Sequence, residues 1–241
     1  MRKIHILTFV LSSLPSLVAV SPVLGQKEAK GTQKTAFATC WEEKTKKYGS
    51  RSIQGTVFVS PNGLQRAYVN VDTQALGKDP GGQEDCQNRS ALFVAKDGKE
   101  HFDSVFTYRG EKGEKGNGIQ LIDWSPDSKL LVADLLTWYY FSEGWEHYIL
   151  VYSTQTGAIQ RRSLETLFSR ALHKDCGVEA AIKGFLRDGR VAVRVLPLDE
   201  EEGPSCVPKE SLWAIDISTF KISLLTEKEE IKQNGQFRKS N

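Results

Sequence analysis

One device recurs along this chain: an apolar strand enters a tight turn and leaves as a second apolar strand. "SPNG" (Ser60 to Gly63) joins "GTVFV" to "RAYVNV", and "SPDS" (Ser125 to Ser128) joins "IQLIDW" to "LLVADLL". "LRDG" (Leu186 to Gly189) joins "AIKGF" to "VAVRVL". Proline presets φ at the second turn position, Asn or Asp bonds its own backbone, and glycine accepts the closing conformation. The flanking runs are rich in β-branched and aromatic residues, so each reads as a hairpin. Three further hairpins follow in step, turning at Asp97-Gly98, near Thr156-Gly157 and near Thr219-Phe220. The first turns recur at Pro61, Pro126 and Arg187, 65 and 61 residues apart. The second turns recur at Gly98, Gly157 and Phe220, 59 and 63 residues apart. The repeating unit is therefore four strands in about 60 residues, present three times, over 54–108, 119–168 and 180–225.

A Ser-Pro-Asp-Gly turn inside a hairpin, then a strand ending in Tyr-x-x-x-Thr-Gly, resembles the blade repeat of TolB-type β-propellers. "WSPDSKLLVADLL" and "LVYSTQTGAIQ" carry the match best. The first repeat keeps "SPNG" but has "VAKDGKE" for its outer hairpin, and the third has lost both the proline and the Thr-Gly. The resemblance covers Gln54 to Leu225. It implies an all-β fold, a propeller-like array of about three four-stranded blades, to which the residues themselves add short helical segments at the N-terminus and between blades. It implies no chemistry, because the matching residues are turn formers and core. The chain as a whole also resembles small exported proteins of bacterial envelopes.

The N-terminus supports export. A basic lead with Arg2 and Lys3 precedes an apolar run from Ile4 to Val20, and small or apolar residues stand just before Gln26. That is the layout of a signal peptide over 1–25, which predicts a periplasmic or secreted protein. An uncleaved anchor is the competing reading, but the run is short and Pro15 interrupts it. No later segment is apolar for long enough to span a membrane. Beyond residue 25 the chain holds 30 basic and 30 acidic residues, so it has no electrostatic footprint for nucleic acid.

Cys40, Cys86, Cys176 and Cys206 make an even count in an exported chain, which reads as two disulfides. Of three pairings, Cys40–Cys86 with Cys176–Cys206 closes each loop inside one structural unit. A zinc site is disfavoured, since no CxxC occurs and no His stands at ligand spacing from a Cys. Segment 26–50 contains "TCWEEKTKKYG", expected as a short cap helix ending at Gly49. Asp72 to Ser90 and Leu198 to Glu210 read as polar loops, and Arg109 to Gly118 as a mobile linker. Ser163 to Lys174 has helical spacing, and 226–241 reads as a polar, fraying tail.

Little in the sequence points to catalysis. After the leader only His101, His147 and His173 remain, with no GxSxG and no HExxH. Asp123, Asp127 and Asp134 lie close together; Asp127 forms a turn, and Asp134 is expected to satisfy a backbone group. Asp199 to Glu202 reads as a solvated acidic loop rather than a calcium site. No cofactor or metal is expected. The compositional anomaly is "TWYYFSEGWEHY", Thr137 to Tyr148. Core packing is its first reading. A recognition surface is its second, with Trp138, Tyr140 and Tyr148 among its aromatic contacts and Glu143, Trp145, Glu146 and His147 as its polar rim. The expected function is non-catalytic binding or scaffolding in the envelope or outside the cell, with a protein, peptide or glycan partner. The alternative is a hydrolase or lyase acting on a polymer through acidic residues on an open face. Three blades fall short of ordinary propeller closure, so the chain caps its own end faces or pairs as a homodimer.

Overall fold

The computed structural model describes residues 35–36, 39–42, 45–78, 84–110, 114–139, 145–172, 176–198, 204–225 and 231–237. The signal-peptide region lies outside them. Strands dominate, arranged as three antiparallel four-stranded meanders in chain order, so the all-β class expected from the sequence holds. Sheet 1 contains β5 (Phe58–Val59), β6 (Arg66–Lys78), β7 (Glu84–Ala95) and β8 (Asp103–Arg109). Its first strand is extended by β4 (Arg51–Gln54), which also pairs with β6. Sheet 2 contains β9 (Glu114–Trp124), β10 (Leu130–Tyr139), β11 (Trp145–Ser153) and β12 (Ile159–Ser163), and the short β1 (Thr35–Ala36) adds to it beside β9. Sheet 3 contains β13 (Glu179–Phe185), β14 (Val191–Leu196), β15 (Ser211–Ile215) and β16 (Ile222–Leu224).

The six turns stand between the strands at the positions their residues specify. In "SPNG" the Ser60 N–H donates to Gln65 O at 2.9 Å, and Ser60 Oγ accepts from Gln65 N–H at 3.0 Å. In "SPDS" the Ser125 N–H donates to Leu130 O at 2.8 Å, and Ser125 Oγ accepts from Leu130 N–H at 2.9 Å. The same backbone device thus serves both hairpins. Ser128 adopts φ 62° where Gly63 adopts 75°, and its hydroxyl accepts from Asn62 N–H at 3.2 Å, so the two turns touch.

Sheet 2 lies between two cores, as strand alternation requires. Its face bearing Leu131, Ala133, Leu135, Leu150 and Tyr152 packs on Val69, Val71, Leu92 and Val94 of sheet 1. Its opposite face, with Val132, Ile149 and Val151, packs on Ile182, Val191, Val193 and Ile215 of sheet 3. Helix α1 (Leu164–Leu172) follows β12 and buries Leu164 and Phe168 in this second core. Phe168 meets Trp213 edge-on, with centroids 5.5 Å apart. The helix expected between the second and third repeats is therefore present.

Several expectations are corrected. "TCWEEKTKKYG" forms no helix among its described residues; β2 (Trp41–Glu42) pairs with β3 (Lys47–Tyr48) as a hairpin. The expected helix gives way to side-chain anchoring: the hairpin is tied by Cys40–Cys86, by Tyr48 Oη donating to Asp85 O, and by Arg51 donating to Thr39 O and Trp41 O. Asp72 to Ser90 is mostly strand, because β6 and β7 stay paired out to Lys78 and Glu84. The Arg109 to Gly118 linker contributes the first residues of β9. The tail is partly ordered as well: β17 (Gln236–Phe237) pairs with β5, and Phe237 stacks on Phe58 at 4.3 Å. The second bridge is Cys176–Cys206, so both disulfides follow the pairing favoured above. Among the described residues, no helix is long and apolar enough to cross a membrane.

Candidate functional site

The aromatic segment forms the far end of the β10–β11 hairpin. Trp138 stands opposite Trp145, Thr137 opposite Glu146, Leu136 opposite His147, and Leu135 opposite Tyr148. Opposed residues share a face, and successive pairs alternate. The expected site residues are therefore split between the two faces of sheet 2. Trp138, Trp145 and His147 lie toward sheet 3. Glu146 and Tyr148 lie toward sheet 1, where Tyr148 Oη donates to Glu146 Oε2 at 2.7 Å. The single polar rim expected from the sequence is thus corrected: strand periodicity turns Glu146 and His147 away from each other. Tyr140 and Glu143 lie outside the described residues.

The two indoles are 5.0 Å apart between centroids, inclined at 45°. Trp145 is 53% exposed. Trp138 is half-buried and lies over Gly116 of β9, where any Cβ would overlap the indole ring. Glycine at this position is what lets the ring settle on the sheet. Tyr148 is covered on its other side by Arg161, whose guanidinium carbon sits 5.0 Å from the ring centroid and 5.3 Å from that of Tyr108.

Below the indoles, Asp134 and His147 form a buried pair, with His147 Nδ1 2.8 Å from Asp134 Oδ2. Asp134 therefore holds an imidazole, not the backbone group expected from the sequence. Its second oxygen, Oδ1, is buried without a hydrogen-bond partner among the described residues. Burial raises the Asp134 carboxyl above its usual range, against the pull of His147. Burial is the largest influence on His147 and opposes its imidazolium, but the hydrogen bond and the charge of Asp134 together outweigh it, and the pKa rises above 6.5. Glu179 of β13 adds a further pull in the same direction.

The carboxylate that does satisfy backbone is Asp123. It accepts from Phe185 N–H at 3.2 Å, Asn234 N–H at 2.8 Å, Gly235 N–H at 3.2 Å and Asn234 Nδ2 at 2.9 Å. A β-bulge between Ile182 and Gly184 brings the Phe185 N–H to it. A second buried polar group joins sheets 1 and 2: Ser90 Oγ donates to Asn117 Oδ1 at 2.6 Å, and Asn117 Nδ2 donates to Asn88 O at 3.1 Å. Sequence reasoning missed both, since an Asn in a Gly-rich run and an Asp before Trp look like surface residues.

The described residues contain no group of three or more His, Cys, Asp or Glu placed to hold a metal ion. In comparison with known proteins, no family model matches the chain and no curated protein is similar to it in sequence.

Proposed function

We propose that the protein is an exported, non-catalytic binding protein in which three four-stranded blades form an open, propeller-like array. The observation that carries the binding reading is the Trp138–Trp145 pair. Two hydrogen-bonded strands hold these rings 5.0 Å apart, and the outer one keeps 53% of its surface in solvent. Rigid, half-exposed aromatics at an element's end offer large contact area at low entropy cost, which suits capture of a protein, peptide or glycan. The blade reading draws support from the first strands of the three sheets. Asp123 of β9 bonds to Phe185 at the end of β13 and to the segment leading into β17 beside β5, as innermost strands converging on an axis would. Two disulfides fit an oxidising compartment outside the cytoplasm.

A photo-cross-linker at position 145, used in the native envelope, tests the proposal. Adducts with a defined partner or glycan support it, provided they disappear when Trp138 is also replaced. Absence of adducts, with Trp145→Ala costing the stability of a core residue, refutes it. The Asp134–His147 pair favours a second reading, a hydrolase or lyase acting on a polymer. In that case His147→Ala abolishes release of fragments from envelope polymer, whereas Trp145→Ala only weakens it.

A further inference from the structure

We propose that the outward face of sheet 1 is a second binding site, for a carboxylate-bearing saccharide held by Arg89 and Arg109. The site is separate from the Trp138–Trp145 pair and does not rest on it.

Strand register places Ser52, Asp72, Arg89 and Arg109 in one row across four strands, β4, β6, β7 and β8. Their shared face is opposite the one that carries Val69 and Val71, so it lies away from the core. The acid in this row is fully committed. Asp72 Oδ1 accepts from Ser52 Oγ at 2.7 Å and Asn70 Nδ2 at 2.8 Å, and Oδ2 accepts from Arg89 Nη2 at 2.6 Å. These bonds hold the carboxyl below its ordinary value, chiefly through Arg89. They also fix the Arg89 guanidinium by one nitrogen and leave its remaining N–H donors unassigned by that bond.

Arg109 stands directly across from Arg89, and among the described residues it pairs with no acid. Like charges opposed on adjacent strands destabilise a sheet. Asp72 is the sole acid among the described residues lining the adjoining cleft, and its ion pair is with Arg89, not Arg109. The surplus positive charge calls for an anion bound across the strands, and paired guanidinium forks suit a carboxylate's planar geometry.

The surroundings select a sugar acid over a bare anion. The cleft holds about 460 Å³, within the range of small-ligand sites. Gln74 and Gln87 form the next row on the same face and offer amide donors and acceptors suited to hydroxyl groups. Along β6 in the other direction, Tyr68 stacks on Phe93 with centroids 4.8 Å apart. That pair is four residues from Asp72, about 13 Å at strand rise. An oligosaccharide spans that distance, and a single small anion does not.

Calorimetric titration with an oligogalacturonate tests the assignment, alongside a neutral malto-oligosaccharide of equal length and sodium sulfate. The acidic sugar is expected to bind, more weakly as salt rises, and the neutral sugar is not. Arg109→Gln should weaken binding by about tenfold or more, and Trp145→Ala should leave it unchanged. Arg109 is an exposed side chain on an edge strand, so an unchanged melting temperature certifies the variant as folded. Absence of binding by the acidic sugar, or equal binding by Arg109→Gln, overturns the proposal. Sulfate binding as tightly as the sugar replaces it with a simple anion site. Loss of binding in Trp145→Ala instead assigns the sugar to the indole pair.

Discussion

Asp123 and Asn234 stand 111 residues apart in sequence and are joined by two hydrogen bonds, from the Asn234 main-chain N–H and from its side-chain amide. Through this contact the last described segment is held against β9. Gly235 then passes so close to Phe58 and Trp124 that any side chain at that position would overlap both rings.

The first prediction follows from that hub. Asp123→Ala leaves three backbone N–H groups and one amide without their acceptor, at a cost of about 3–5 kcal/mol. Denaturant melts should show this loss. Hydrogen exchange should show early release of residues 231–237, ahead of global unfolding.

The buried Asp134–His147 pair sets a pH dependence. Both groups have folded-state pKa values above their ordinary ones. A raised folded pKa contributes stability below the unfolded value and loses it as pH climbs through the folded value. Stability should therefore decline as pH rises past 6.5, the ordinary value of His147. Melting temperatures of the native chain and His147→Gln, compared from about pH 5 to about pH 9, should converge. A gap that stays constant across that range would contradict the assignment.

The indole pair separates stability from recognition. Trp145→Ala removes a ring already half in solvent and should cost about 1 kcal/mol. Trp138→Ala removes the ring seated on β9 and should cost about 3 kcal/mol. Gly116→Ala, which touches neither indole's chemistry, should displace the Trp138 ring and cost about 2 kcal/mol. Thermal melts of the three variants check the order.

The disulfides should act locally. Chain-entropy estimates give roughly 3.5–4 kcal/mol for loops of these lengths. Paired serine replacement of Cys40 and Cys86 should free the β2–β3 hairpin while leaving α1 protected. The same change at Cys176 and Cys206 should loosen the second core, where both cysteines are buried. Residue-level hydrogen exchange distinguishes the two.

A monomer is expected in solution. The outer face of sheet 1 presents Asn70, Asp72, Gln74, Gln87, Arg89 and Arg109, and its aromatics Tyr68, Phe93 and Phe102 pack on one another, so the face is mainly polar. On the far side of sheet 3, Ile231, Leu212 and Leu225 pack over Leu186, Ala192 and Ala214. Arg194 and Glu210 form a two-pronged ion pair beside them. Both end faces are thus dealt with inside one chain, though not by the N-terminal helix expected from the sequence. Light scattering behind size exclusion should give one mass at all concentrations; a stable dimer would mean that one end face is covered by a second copy.

The sequence by itself determined the local events. Six turns, the strands they join, helix α1 and two disulfides were legible because each depends on residues within a few positions, or on cysteines with few ways to pair. Proline, Asn-Gly and Asp-Gly restrict φ and ψ wherever they occur, and period-two alternation states which side of a strand is apolar. Only the tertiary structure decided what those sides meet. The aromatic run reads as one cluster along the chain, but strand alternation sends Trp145 and Glu146 to opposite faces of sheet 2. Asp134 was expected to satisfy backbone, and Asp123 does so instead, because its donors come from Phe185, Asn234 and Gly235. The partner of a buried polar group is chosen by proximity after folding, and proximity across 62 or 111 residues leaves no mark on local composition. For the same reason Asp72 to Ser90 looked like a loop: its polar residues are the solvent side of two long strands, whose pairing with each other became visible only in three dimensions.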